Sequence, residues 1–93
     1  MSGFFDHIPE DRVPALREAI QAVTETKVLL DQVAGRFGTT EPAALRRMIG
    51  RTVDGIAVSE ASVAQLEELL RLHEERRTAC RLLMERIAAG ESP

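Results

Sequence analysis

The sequence predicts an all-α protein in which two long helices are joined by a short helix and the bundle is completed by oligomerisation. Two long stretches repeat apolar residues at helical spacing, and nothing beyond their first turns breaks a helix. Glycine and proline fall mainly between these stretches, where they mark turns. The chain has 93 residues, which limits it to one domain.

The chain divides into an N-terminal arm over residues 1–10, a helical domain over 11–90 and a short tail over 91–93. The arm contains Phe4, Phe5 and Ile8, three apolar side chains that need a surface to pack on. Packing on the same chain and packing on a neighbouring copy would bury them equally well, so the sequence leaves both arrangements open.

The first long helix is predicted over about residues 11–34. Asp11 can cap it, and Pro14 falls in the first turn, where its missing N–H is harmless. Gly35 is expected to end it. Lys27 falls on the apolar stripe and is expected to extend its stem towards water. The stripe consists of Leu16, Ile20, Val23, Leu30 and Phe37.

A second, shorter helix is predicted over about residues 41–53. Thr40 or Glu41 would cap it, and Pro42 would occupy its first turn. The dipeptide at 54–55, Asp-Gly, is expected to close it. Its buried stripe would contain Leu45, Met48, Ile49 and Val53.

The third helix is predicted over about residues 59–89, from a Ser59 cap to a stop at Gly90. Eight positions along it follow the alternating three- and four-residue spacing of a helix–helix seam. These positions are Val63, Leu66, Leu70, His73, Arg77, Cys80, Met84 and Ile87. The seam is the expected interface.

Two of the seam positions are polar, and polar residues at such positions reduce stability but fix the register between helices. These are His73 and Arg77. A glutamate of another helix, such as Glu18 or Glu25, is the expected partner of Arg77.

The length of the third helix predicts self-association. About 31 helical residues span about 46 Å, whereas a compact domain of this size has a radius of gyration of only about 12 Å. The helix therefore extends beyond its own domain, and its apolar residues need a partner. We expect a homodimer or a higher oligomer that uses the last helix and the first.

The segment over residues 33–53 partly resembles a helix-turn-helix motif. A small residue, an apolar residue, a turn glycine and a polar cap follow in the expected order at Ala34, Phe37, Gly38 and Thr40. Four arginines, Arg36, Arg46, Arg47 and Arg51, could then contact nucleic acid or another anion. Pro42 and Ala43 stand where base-reading side chains usually project, however, and neither can hydrogen-bond a base.

Catalytic and metal-binding patterns do not emerge from the sequence. His73-Glu74 is followed by Arg77 where a zinc helix needs a second histidine, and Leu70 stands where a di-iron motif needs a glutamate. His73 and Cys80 lie about 10 Å apart along one helix, which is too far for a nucleophile–base pair. We therefore expect no catalytic residues, no metal and no cofactor.

The formal net charge of −3 argues against a general nucleic-acid coat, and one cysteine excludes an intrachain disulfide framework. No stretch predicts a secretory signal or a membrane anchor, so the expected setting is the cytoplasm, and residue usage is typical of bacteria. The favoured function is a non-catalytic interaction or regulatory module that binds itself and another protein. The alternative is a DNA-binding regulator that reads through residues 33–53 and dimerises through its last helix.

Overall fold

The computed structural model describes residues 10–90 and confirms a mostly helical fold built on two long helices. The arm residues 1–9 and the tail 91–93 lie outside the described residues. After a 3₁₀ turn at Glu10–Arg12, the elements in chain order are α1 (Val13–Phe37), α2 (Pro42–Arg46), β1 (Thr52–Val53), β2 (Ile56–Ala57) and α3 (Glu60–Ala88). Helices α1 and α3 pack antiparallel against each other as a helical hairpin.

Helix α1 continues through the glycine that was expected to end it. It passes Gly35 and ends after Phe37, and Gly38 then adopts the left-handed conformation with φ +73°. The N–H of Gly38 donates to the carbonyl of Ala34 at 2.8 Å. A glycine inside a helix costs only about 1 kcal/mol, and the extra turn brings Phe37 onto the core. The prediction of a stop at Gly35 is therefore wrong by one turn.

The short helix begins where it was predicted but ends much earlier. Glu41 precedes α2 and Pro42 opens it, as expected, but the helix ends at Arg46 rather than near residue 53. Gly50 has φ +94°, which a helix does not allow, and its N–H donates to the carbonyl of Val58 at 3.1 Å. The chain therefore leaves the helix to pair with a later segment.

A two-stranded β-hairpin replaces the second half of the predicted helix. Thr52 pairs with Ala57 and Val53 pairs with Ile56, in antiparallel register. The two residues between the strands, at 54–55, both have positive φ, 52° and 79°. Positive φ at both positions characterises the type I′ turn, for which Asp-Gly is a preferred sequence. The Asp-Gly pair therefore reverses the chain instead of ending a helix.

The most buried part of the core lies at the loop end of the helical hairpin. Leu45 of α2, Val58 after β2, and Val63 and Leu66 of α3 form one buried cluster. Half-buried apolar residues pack around it, namely Leu30, Val33, Phe37, Met48, Val53 and Leu70. The β-hairpin stabilises this end by bringing Val58 beneath the start of α3.

The face that α1 presents to α3 differs by one residue from the predicted stripe. Thr26 is fully buried, whereas Lys27 is exposed and pairs with Asp31 of its own helix at 3.3 Å. Buried and half-buried positions follow a seven-residue repeat that includes Leu16, Val23, Leu30 and Phe37. In that repeat the position three residues after Val23 is Thr26, so Thr26 and not Lys27 lies in the contact between the two helices.

Helix α3 makes the molecule long. Ser59 caps it as predicted, and the N–H of Ser59 donates to Oγ of Ser62 at 3.1 Å. The helix has 29 residues and the molecule measures 53 × 26 × 16 Å. Its radius of gyration is 17.8 Å, compared with about 12 Å for a compact chain of this length. The elongated shape expected from the length of the last helix is confirmed, whereas α1 runs beside α3 along its length, so α3 does not extend beyond the rest of the fold.

Candidate functional site: the apolar surfaces of the helical hairpin

A buried threonine and a histidine set the register of the two long helices. Oγ1 of Thr26 lies 2.6 Å from Nδ1 of His73 and 3.1 Å from the carbonyl oxygen of Val23. The hydroxyl has one proton for the imidazole and the carbonyl together, so the direction of the hydrogen bond between Thr26 and His73 follows from the tautomer of the imidazole. His73 is thus a structural residue between α1 and α3.

The cross-helix arginine is one residue earlier than the sequence indicated. Arg76 donates to the carbonyl oxygen of Ala22 at 2.8 Å and lies 3.5 Å from the carboxylate of Glu25. Arg77 is exposed and pairs with Glu74 of its own helix at 3.8 Å. The expected contact with Glu25 therefore forms, but it belongs to Arg76.

The predicted seam divides between the helix contact and the surface. Val63 and Leu66 are buried, whereas Leu70, His73, Cys80 and Ile87 are half-buried and Arg77 and Met84 are exposed. In the second half of α3 the inward positions shift by one residue, to Arg76 and Leu83. Both sets of positions follow the alternating three- and four-residue spacing of a helix–helix seam. The spacing therefore does not decide which set faces α1.

The four arginines singled out by the sequence do not form one helix face. Arg46 lies in α2, Arg47 follows it and Arg51 precedes β1. Arg46 lies 3.7 Å from Glu67, and Arg36 lies 4.0 Å from Asp54. A helix of five residues is about 7.5 Å long, so the recognition helix expected over residues 41–53 does not exist.

One apolar groove opens at the loop end of the helical hairpin, and we call it the loop-end groove. It runs between α1 and α3 and is bordered by the β-hairpin. Its apolar lining residues are Leu29, Val33, Phe37, Leu45, Ile56, Leu66 and Leu69, and its polar lining residues are Gln32, Arg36, Ser62 and Gln65. Arg36 is the single charged residue among these described lining residues. An apolar floor whose polar rim carries a single charge is typical of the core of a protein interface.

A second groove lies on α3 near the opposite end, and we call it the terminal-end groove. Val23 of α1 and Cys80, Met84 and Ala88 of α3 supply its apolar surface. Its rim is charged, with Glu74, Arg77, Arg81 and Glu85. Three members of the predicted seam, Arg77, Cys80 and Met84, therefore line this groove.

The outer face of α3 is held by ion pairs within the helix. Arg71 donates to the carboxylates of Glu68 and Glu75, one turn before and one turn after it. The hydrogen bond from Arg71 lowers the pKa of Glu68 below its ordinary value, and the same bond raises the pKa of Arg71. These side chains are solvated, so their ion pairs add little to the stability of the fold.

Ile56 at the loop-end groove was not identified by sequence reasoning. The signal was present in Val-Asp-Gly-Ile over residues 53–56, because Asp-Gly between apolar residues is a strong hairpin pattern. Leu69 was not among the predicted seam positions. Its place in the groove depends on the angle at which α1 crosses α3, which no local pattern reveals.

Within residues 10–90 no group of three or more histidine, cysteine, aspartate or glutamate side chains is arranged to hold a metal ion. None of the described helices combines the length and the apolar character needed to cross a membrane. Comparison with protein-family models, with curated proteins and with solved structures finds no match for this chain. The surfaces of the chain are therefore the evidence for its function.

Proposed function

We propose that this protein is a non-catalytic interaction module that works as a homodimer, and that the loop-end groove is its contact surface. The observation that supports this most strongly is the exposure of large apolar side chains around the groove. Leu29 is 45% exposed and Ile56 is 52% exposed, and both border half-buried Phe37 and Leu69. Exposed apolar residues that adjoin a partly open core favour burial by a partner.

The accessible surface area of the chain is larger than that of a compact monomer of the same mass. The chain exposes 6619 Å², whereas a compact monomer of this mass exposes about 5,400 Å². A standard interface buries about 800 Å² on each partner. The difference between the two areas exceeds the area that one partner buries in such an interface.

The groove is suited to a second copy because it carries both a projection and a depression. Ile56 and Leu29 project at its edges, while Phe37 and Leu66 lie in its floor. In a two-fold symmetric contact the projecting residues of each copy meet the floor of the other. Gln32 and Gln65 at the rim can hydrogen-bond across such a contact without burying a charge.

The arginines support an interaction module over a DNA reader. Arg36 and Arg46 lie beside carboxylates that reduce their availability to phosphate, and the expected reading helix is replaced by a β-hairpin. Nucleic-acid affinity rests chiefly on lysine and arginine that neutralise phosphates. The experiment that tests the dimer therefore also tests for DNA binding.

The test is light scattering coupled to size-exclusion chromatography over a wide range of protein concentration. We expect twice the chain mass of 10.3 kDa for the wild type. We expect Leu29→Glu and Ile56→Glu to shift the protein to the monomer, because each substitution buries a carboxylate in the contact. A monomeric wild type at all concentrations would overturn the proposal.

Val28→Glu is the matched control. Val28 is 48% exposed and adjoins Leu29 in the chain, but it does not line the groove. It should therefore leave the dimer intact, and equal disruption by Val28→Glu and Leu29→Glu would mean that the groove is not the interface. A mixed-sequence DNA duplex is added at low salt. A complex lost in Arg46→Ala/Arg47→Ala would favour the DNA-binding alternative.

A further inference from the structure

We propose that the terminal-end groove binds an amphipathic helix of another protein, in which charges ordered positive, negative, negative, positive flank an apolar stripe. The groove is separate from the loop-end groove assigned to the dimer, and the two have no lining residue in common. The proposal therefore does not depend on the dimer.

The floor of the groove has the spacing of a helix ridge. Cys80, Met84 and Ala88 follow one another at intervals of four residues, so they form a row along α3. Rows of this spacing pack between the corresponding rows of a second helix, which is the commonest form of helix–helix contact. Val23 of α1 adds apolar surface to the same groove. The arrangement of the floor therefore suits a helical occupant.

The apolar floor is accessible to a partner. Met84 is 39% exposed and Ala88 is exposed, whereas Val23 and Cys80 are half-buried. A helix that covers these residues removes apolar surface from water, and this favours binding. Methionine also fills irregular gaps, so the floor can adapt to the apolar side chains of the occupant.

The rim of the groove carries charges in a defined order along α3. The order is Glu74, Arg77, Arg81 and Glu85, which gives the signs negative, positive, positive, negative. The exposed fractions of these side chains lie between 62% and 70%, and the ion pairs Glu74–Arg77 and Arg81–Glu85 each measure 3.8 Å. That distance is longer than the 2.7–2.9 Å or so of a charge-assisted hydrogen bond. The four side chains can therefore turn towards a partner.

The order of the charges favours another protein over a second copy of this chain. The signs read the same from either end, so aligning two copies of the rim, parallel or antiparallel, brings glutamate near glutamate and arginine near arginine. Like charges brought together across an interface oppose binding. A helix with the signs reversed makes an attractive pair at every one of these positions. Charge complementarity therefore selects the occupant.

The test is fluorescence anisotropy with two labelled synthetic peptides. Both are alanine-based helices of about 15 residues, close to the length at which an isolated helix begins to form, and the groove runs from Glu74 to Ala88. Both have the same composition and the same leucine stripe. The matched peptide carries Lys, Glu, Glu, Lys at the spacing of the rim, and the mismatched peptide carries Glu, Lys, Lys, Glu.

We expect the matched peptide to bind the wild type about tenfold more tightly at low salt, because four charge pairs change from attractive to repulsive in the mismatched one. The difference should shrink at high salt, which screens exposed charges. Equal affinity of the two peptides at low salt, or no binding of either, would overturn the proposal.

Reversal of the rim charges should reverse the preference. The variant is Glu74→Lys/Arg77→Glu/Arg81→Glu/Glu85→Lys, which keeps the net charge of the chain and an opposite-charge pair at both ion-pair positions. Glu68→Lys/Arg71→Glu is the matched control, because it reverses an ion pair on the outer face of α3 that does not line the groove. It should leave the preference for the matched peptide unchanged. An unchanged preference in the fourfold variant would contradict recognition by the rim.

Two single substitutions locate the peptide on the molecule. Met84→Glu places a carboxylate in the apolar floor and should weaken binding of the matched peptide at least tenfold. Ile56→Glu, at the loop-end groove, should leave the affinity unchanged even where it dissociates the dimer. Loss of binding in Ile56→Glu, with Met84→Glu unaffected, would place the peptide in the loop-end groove and overturn the assignment.

Discussion

Oγ1 of Thr26 and Nδ1 of His73 lie 2.6 Å apart across the interface of the two long helices. The contact satisfies a polar group on each helix in the middle of an otherwise apolar seam. A hydrogen bond of this kind forms in only one register, because a shift of one helical turn moves either partner by about 5 Å. Substitutions of Thr26 and His73 test this contact.

Thr26→Val should destabilise the fold by about 1–2 kcal/mol, because it keeps the shape of the side chain but leaves the His73 imidazole without its hydrogen-bond partner on α1. Urea unfolding followed by circular dichroism measures the loss. Thr24→Val is the matched control, since Thr24 also donates to a carbonyl one turn earlier, at 2.9 Å, but is exposed. Equal losses for the two variants would show that the contact with His73 contributes nothing.

Replacing both partners should be milder than replacing one. In Thr26→Val/His73→Leu no polar group is left unpaired, so the double variant should be more stable than the sum of the single losses implies, with a coupling of about 1 kcal/mol. The four unfolding free energies of the cycle give this number directly. Additive losses would contradict the pairing.

Arg76→Ala should reduce stability by about 1 kcal/mol, because it removes the cross-helix hydrogen bond to the carbonyl of Ala22 and the ion pair with Glu25. Arg77→Ala should change stability by less than about 0.5 kcal/mol. The side chain of Arg76 is 29% exposed and that of Arg77 is 62% exposed. Thermal unfolding of both variants distinguishes the observed register of α3 from the one predicted by its heptads, which requires the opposite order.

Gly35→Ala and Gly38→Ala should change stability in opposite directions. Gly35 lies inside α1 with open space around its Cα, so alanine there should stabilise the helix by about 0.5–1 kcal/mol. Gly38 has φ +73°, where alanine should cost about 1 kcal/mol. Midpoints of urea unfolding give both signs, and a loss in Gly35→Ala would contradict an α1 that extends to Phe37.

The pKa of Glu68 should rise towards its ordinary value in Arg71→Gln, because the hydrogen bond from Arg71 is what lowers it. A carboxyl whose pKa is lower in the folded state stabilises the fold above its ordinary pKa. That contribution is lost as the pH falls through the lowered value. NMR titration of the Glu68 carboxyl follows this change, with Arg81→Gln as the control that leaves Glu68 unaffected.

Local patterns were sufficient for the elements whose signals agree with each other. Ser59 caps α3, and Pro42 opens α2, because each supplies a backbone geometry or a hydrogen bond that depends on neighbouring residues only. The elongated shape of the molecule followed from counting the residues of the last helix. Of the surfaces, the sequence identified Met84 and Cys80 on one stripe but did not show that this stripe borders an open groove.

Two errors arose where a local signal had two solutions. Val53 and Ile56 satisfy a helical stripe about as well as a strand pair, and the type I′ turn at Asp54 decided for the strands. Lys27 and Thr26 both lie near the seam of α1, and the choice between them depends on how α1 coils around α3. Neither decision can be made from a window of a few residues.

The order of neighbouring residues was enough to establish two long helices, their caps and an excess of apolar side chains, because helix formation depends on contacts three and four residues apart. Tertiary packing alone decided that Arg76 faces α1 in place of Arg77, and that Leu29 and Ile56 lie at one groove. These features depend on the crossing and register of segments that lie far apart in the sequence. Contacts such as the one between Thr26 and His73 stabilise this packing, and they form only when the chain has folded.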